Sequence, residues 1–128
     1  QTYMRLLARA FQGKRALSLV HVKIMTGRRH QIRVHTSFVG HPTLADGKYS
    51  STHTYMEDLV WCPRNFLHRH ELVFEVSGRV SEAFEDLPPD LAEALQKLKL
   101  EVVNSSSTTS ADSKGLKCTD ARIVLSWT

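Results

Sequence analysis

The apolar positions of this chain fall into short stretches whose spacing predicts most of its elements. Thr2 to Ala10 has no clean period, but its aromatic and apolar content fits a strand leading to a turn at Gln12-Gly13-Lys14. From Ala16 to Met25, the residues Leu17, Leu19, His21, Lys23 and Met25 alternate with Ser18, Val20, Val22 and Ile24. Both faces carry apolar groups, the pattern of a central strand covered on two sides. The two runs together predict an antiparallel hairpin. Past Thr26-Gly27 the period changes. Ile32, Val34, Phe38 and Val39 fall in one broad arc at helical spacing, with His30, Arg33 and Ser37 opposite. A helix from Arg29 to Phe38 is expected, capped by Thr26 and closed by Gly40 with Pro42 beyond it.

Further along, Asp46-Gly47 marks a turn, and Ser50 to Asp58 is polar enough for a surface loop or one helical turn. Phe66 to Val76 alternates, with Leu72, Phe74 and Val76 on one face, and Arg79 to Phe84 is a short extended piece. Pro89 and Asp90 supply the preferred start chemistry for a helix through about Leu98, striped by Leu91, Leu95 and Leu98. From Val103 the chain turns to a Ser/Thr-rich run that lacks the apolar area to order itself. Ala121 to Trp127 reads as a strand that returns to a sheet edge. Residues 1–100 are therefore expected to be the folded part, 101–120 a flexible linker and 121–128 a terminal strand. The fold class is α+β: a mixed, largely antiparallel sheet with helices packed beside it and the Arg29–Phe38 helix entering a cleft.

At 128 residues this is one domain at most. No run of some 18 apolar residues and no basic-then-apolar leader is present, so neither a membrane span nor a signal peptide is indicated. An intracellular chain with reduced thiols is the expectation. Cys62 and Cys118 stand far apart, without the spacing of a thiolate metal site, and His30 and His35 have no carboxylate or cysteine at ligand spacing. No metal is expected.

Charge changes the picture more than composition does. Residues 1–50 hold nine Lys or Arg and a single acid, Asp46, for +8; residues 51–128 hold eight Lys or Arg and twelve acids, for −4. A basic half of this kind suits a polyanion. Its densest part is Arg28 to His35, eight positions with three arginines, two histidines and a glutamine. The start of a helix is already positive, so Arg28 and Arg29 cost stability there unless an anion joins them, and phosphate is the obvious one. A solvated helix face is the plainer alternative.

Thr26-Gly27-Arg28-Arg29-His30-Gln31-Ile32-Arg33-Val34-His35 followed by Gly40-His41-Pro42 resembles, in order and spacing, the third motif of the RluA-type pseudouridine synthases. Asp46 and Tyr49 match that pattern's next Asp and Tyr, although turn chemistry alone explains Asp46 and anchoring alone explains Tyr49. Leu67, His68, Leu72 and Phe74 resemble a later L-H-A-x-x-L-x-F segment, with Arg69 in place of the small residue. Resemblance covers roughly residues 2–100. It implies a partial pseudouridine synthase fold, an RNA partner that is ribosomal or transfer RNA, no cofactor and a monomer. By the match, Arg33 is the ion-pair partner of the catalytic aspartate and Leu67 borders the uracil pocket. Arg28, Arg29 and Lys48 would contact RNA phosphates, while His30 and Gln31, also on the RNA side, would brace the loop and helix. The family's own aspartate motif, like H-R-L-D-x-x-T-S-G, is absent, as is its upstream tyrosine; Tyr3 lies in the strand that follows both. A chain that opens on Gln is expected to be a piece of a longer polypeptide. The competing expectations are an RNA-binding domain without catalysis and a domain whose basic helix pairs with an acidic protein surface.

Overall fold

The structure, a computed structural model, describes residues 1–102 and 118–127. In chain order the elements are β1 (Thr2–Gln12), β2 (Arg15–Ile24), α1 (Gln31–Phe38), α2 (Thr52–Leu59), β3 (Leu67–Val76), β4 (Arg79–Phe84), α3 (Pro89–Gln96), β5 (Lys99–Val102) and β6 (Cys118–Trp127). The strands form one six-stranded sheet in the order β4-β3-β6-β2-β1-β5. Every pairing is antiparallel, where a mixed sheet was expected.

The expected hairpin is present, in register from Thr2↔Ile24 to Gln12↔Arg15, with a bulge between Leu6 and Ala8. Gly13 at φ 59° supplies the left-handed residue of its turn. The alternation of β2 separates two apolar clusters. Leu17 and Leu19 join Ala10, Leu44, Trp61, Cys62, Phe66, Leu91, Ala94 and Leu98, against α2 and α3. Val20, Val22 and Ile24 point the other way and meet Ile32 of α1 and Leu67.

Four expectations are corrected. Ser50 to Asp58, expected as a loop or one helical turn, holds most of the longer helix α2, its start capped by Ser51, whose Oγ accepts from the Thr54 N–H at 3.1 Å. Glu101 and Val102, expected to open the flexible linker, pair with β1 as the end of β5. The terminal strand begins at Cys118 and lies inside the sheet, between β2 and β3, not at an edge. Thr26 does not cap α1, which starts two residues late at Gln31. Most of the expected 101–120 linker, residues 103–117, lies outside the described residues.

Candidate active site

α1 is fixed by backbone bonds at its end and by a side chain at its start. At its end, Gly40 (φ 83°) donates to the Ser37 carbonyl at 3.0 Å and His41 to the Thr36 carbonyl at 2.8 Å, the paired bonds of a Schellman stop. At its start, His30 takes the cap position in a left-handed conformation, φ 56°, and no side chain caps the helix. Gln31 does the bracing. Its Oε1 accepts from the Thr26 hydroxyl and the Arg28 N–H, both at 3.2 Å, and its Nε2 donates to the Gln1 carbonyl and the Thr2 hydroxyl. Gln31 is buried, so both ends of its amide are used inside the protein. Arg28 and Arg29 stay exposed, and the first turn of α1 holds no acid.

One turn on, Arg33 grips Asp46 with two parallel bonds: Nε to Oδ2 at 2.7 Å and Nη2 to Oδ1 at 2.6 Å. Asp46 has no solvent exposure, and it also accepts from the Thr43 hydroxyl and the N–H groups of Lys48 and Tyr49, at 3.0 to 3.1 Å. Burial pushes its carboxyl up, but the bonds from Arg33, Lys48, Tyr49 and Thr43 outweigh that and hold it at about 2 against an ordinary 3.8.

The loop that presents Asp46 is itself tied down. Thr43 through Asp46 are all buried, and Ala45 is bent to φ 52°. Its N–H donates to Asp58 Oδ2 at 2.9 Å, and Asp58 Oδ1 takes Arg15 at 3.1 Å, so the start of β2 supports the loop through a buried carboxylate on α2. Phe66 N–H holds the Leu44 carbonyl at 3.0 Å and Asn65 donates to Thr43 at 2.9 Å.

Tyr49 stands over this pair. Its ring lies 5.1 Å from the Arg33 guanidinium carbon and 5.6 Å from Lys48 Nζ, both within cation–π range. Its hydroxyl is 3.1 Å from His30 Nδ1, and the two rings meet edge to face. Local burial together with Arg33, Lys48 and Arg29 lowers the pKa of His30.

Arg28, His30, Gln31, Ile32 and Arg33 line a pocket of about 200 Å³ whose apolar walls are Ile24 and Leu67. Five of the seven sequence-selected residues thus converge on this pocket, Leu67 reaching it from the first position of β3. Lys48 stays on the exposed rim beside Tyr49, and Arg29 is exposed just before α1. Sequence reasoning missed Asp46 as the partner of Arg33, and missed Asp58 and Arg15 as its support. The signal for Asp46 was available, since it is the single acid among the first fifty residues. Among the described residues, no group of three or more His, Cys, Asp or Glu could hold a metal ion, and no helix is long and apolar enough to cross a membrane.

Comparison with known proteins finds no matching family model and no matching solved structure. The chain is 37% identical over 89 residues to ribosomal large subunit pseudouridine synthase D of Nitrosomonas europaea, covering 66% of this chain and 26% of that protein. It is 32% identical over 101 residues to the protein of the same name from Haemophilus influenzae, covering 71% and 31%. A MATH and LRR domain-containing protein of Plasmodium falciparum is 49% identical over 57 residues, 44% of this chain and 1% of that protein. The chain therefore spans less than a third of these relatives.

Proposed function

From the premise that this chain is a sequence relative of the RluD-type pseudouridine synthases, we propose that it forms one wall of a site that converts uridine to pseudouridine in ribosomal or transfer RNA. The reaction breaks the bond from ribose C1′ to uracil N1, turns the base and joins C1′ to C5. It needs an ionised carboxylate beside the base, and the base must leave the RNA stack to reach it. The proposed place of this segment is the C-terminal part of the catalytic domain, with the aspartate brought by another part of the polypeptide.

The observation that carries this reading is the setting of Arg33. Asp46 uses the Nε and Nη2 edge of the guanidinium, which leaves Nη1 with no described partner while the side chain borders the Leu67 pocket. A guanidinium carries five donors in a rigid fork, so it can serve a second carboxylate without releasing the first. Asp46 aims the fork, and Tyr49 stacks on it. At about 200 Å³ the pocket is smaller than ordinary ligand sites of about 300–1,000 Å³, which suits one base more than a whole nucleotide. Arg28, Arg29 and Lys48, exposed around it, would hold phosphates and so set position and not sequence. No step calls for a cofactor.

In the complete polypeptide, Arg33→Ala should abolish release of tritium from RNA labelled at uracil C5 and leave RNA affinity nearly unchanged. Normal turnover in that variant would defeat the assignment. The second reading, an RNA-binding domain without chemistry, draws on the fact that Arg33 already has a full carboxylate partner in Asp46. It predicts salt-dependent RNA binding with no tritium release in the unsubstituted protein.

A further inference from the structure

The strand at the centre of the sheet comes from beyond the stretch that resembles the synthases. β6 pairs with β2 from Leu17↔Trp127 to Ile24↔Asp120, and with β3 from Leu67↔Val124 to Phe74↔Cys118. β2 and β3 do not pair with each other. Take β6 away and the sheet becomes two pieces, β4-β3 and β2-β1-β5, each with an open row of N–H and C=O groups facing the gap. Strands lie about 4.8 Å apart, so the gap is about 9.6 Å across, the width of a single strand.

The Arg33 pocket lies over that gap, between the levels of Val20 and Ile24. Ile24, the last residue of β2, and Leu67, the first of β3, are the pocket's apolar walls. Any strand in the gap therefore passes beside the guanidinium, with the residue at the Asp120 position directly across from Ile24.

The covalent tether permits departure. Val102 pairs with Ala8, which is level with Leu19, while Cys118 lies two residues beyond the level of Ile24 and three strands over. At about 3.4 Å per residue and 4.8 Å per strand, the ends are roughly 28 Å apart, and the fifteen residues 103–117 reach about 50 Å.

We propose that the gap between β2 and β3 is a strand-receiving site and that β6 is its exchangeable occupant. The partner it fits is an extended segment antiparallel to β2, apolar where it meets Val20 and Val22, with a carboxylate at the end that abuts Ile24. β6 in place and that segment in place exclude each other, so the tail keeps the site closed. The identity of the incoming strand rests on the function proposed above; the exchange does not.

The test uses the whole chain and a fluorescein-labelled peptide of residues 119–127. Phe74→Cys places a thiol across from Cys118, and facing Cα atoms of an antiparallel pair, about 4.5–5.5 Å apart, suit a disulfide. The oxidised variant should bind the peptide at least tenfold more weakly than the reduced one. Equal binding, or no crosslink by mass, would overturn the proposal. Should Phe74→Cys not fold, amide exchange on the unsubstituted chain decides. Excess peptide should strip protection from residues 120–126 while β2 stays protected, and unchanged protection there overturns the exchange. An Asp120→Asn peptide should bind severalfold more weakly to the unsubstituted chain, and no differently from the Asp120 peptide to Arg33→Ala. Equal binding of both peptides to the unsubstituted chain would remove the Arg33 reading and leave the exchange standing.

Discussion

Replacing Asp46 by asparagine keeps the shape of the side chain and removes its charge, leaving Arg33, Thr43 and two backbone N–H groups around an amide that can accept through only one oxygen. The native carboxyl titrates at about 2 against an ordinary 3.8. A depression of that size corresponds to about 2 kcal/mol of folding free energy at pH 7. Because the folded value is the depressed one, this contribution is complete above the unfolded pKa and is lost as pH falls through the folded one. It falls to about half of that at pH 3 and to a small fraction at pH 2 by the same linkage. Urea unfolding of the two proteins, followed by far-ultraviolet circular dichroism at pH 7 and pH 3, measures the difference directly. Asp46→Asn should cost about 2–3 kcal/mol at pH 7 and about 1 kcal/mol less than that at pH 3. A penalty that stays the same at both pH values, or is under about 0.5 kcal/mol at pH 7, would refute the claim that the ionised carboxylate organises this loop.

Other expectations are simpler. Burial pushes the Cys62 thiol up to about 11, so iodoacetamide at pH 8 should leave it unmodified until the chain is denatured, as read by peptide mass mapping. Ser51→Ala removes the cap of α2 and should cost about 1 kcal/mol in the same urea assay, whereas Ser51→Gly should cost only a few tenths. Arg28→Ala with Arg29→Ala should flatten the slope of log affinity for single-stranded RNA against log salt by about 1.4, from about 0.7 per lost phosphate contact. An unchanged slope would take both arginines off the RNA path.

Much of the frame was legible because it is local. The hairpin follows from alternation in Ala16 to Met25 and a Gly13 turn, and α3 from Pro89, Asp90 and the leucine stripe. The features that escaped depend on distant partners. α1 starts late because His30 is held by Tyr49, nineteen positions on, and no propensity at Arg29 reports that contact. α2 has no apolar stripe to announce it; its buried residue is Asp58, which is inside because Arg15 and the Ala45 N–H need an acceptor there. β6 could be recognised as a strand, but its slot is set by two open edges formed by residues fifty positions apart. At the site, the cationic motif was plain, while its counter-charge read as turn chemistry.

The two faces of β2 are unequally furnished. Ten buried residues fill the side toward α2 and α3, and three lie beneath α1. Thermal breathing should therefore begin under α1, with amides there trading hydrogen for deuterium sooner than those over the larger core. At the site proposed above, a swung-out base would press on a yielding floor, where the ground can give without the foundations moving.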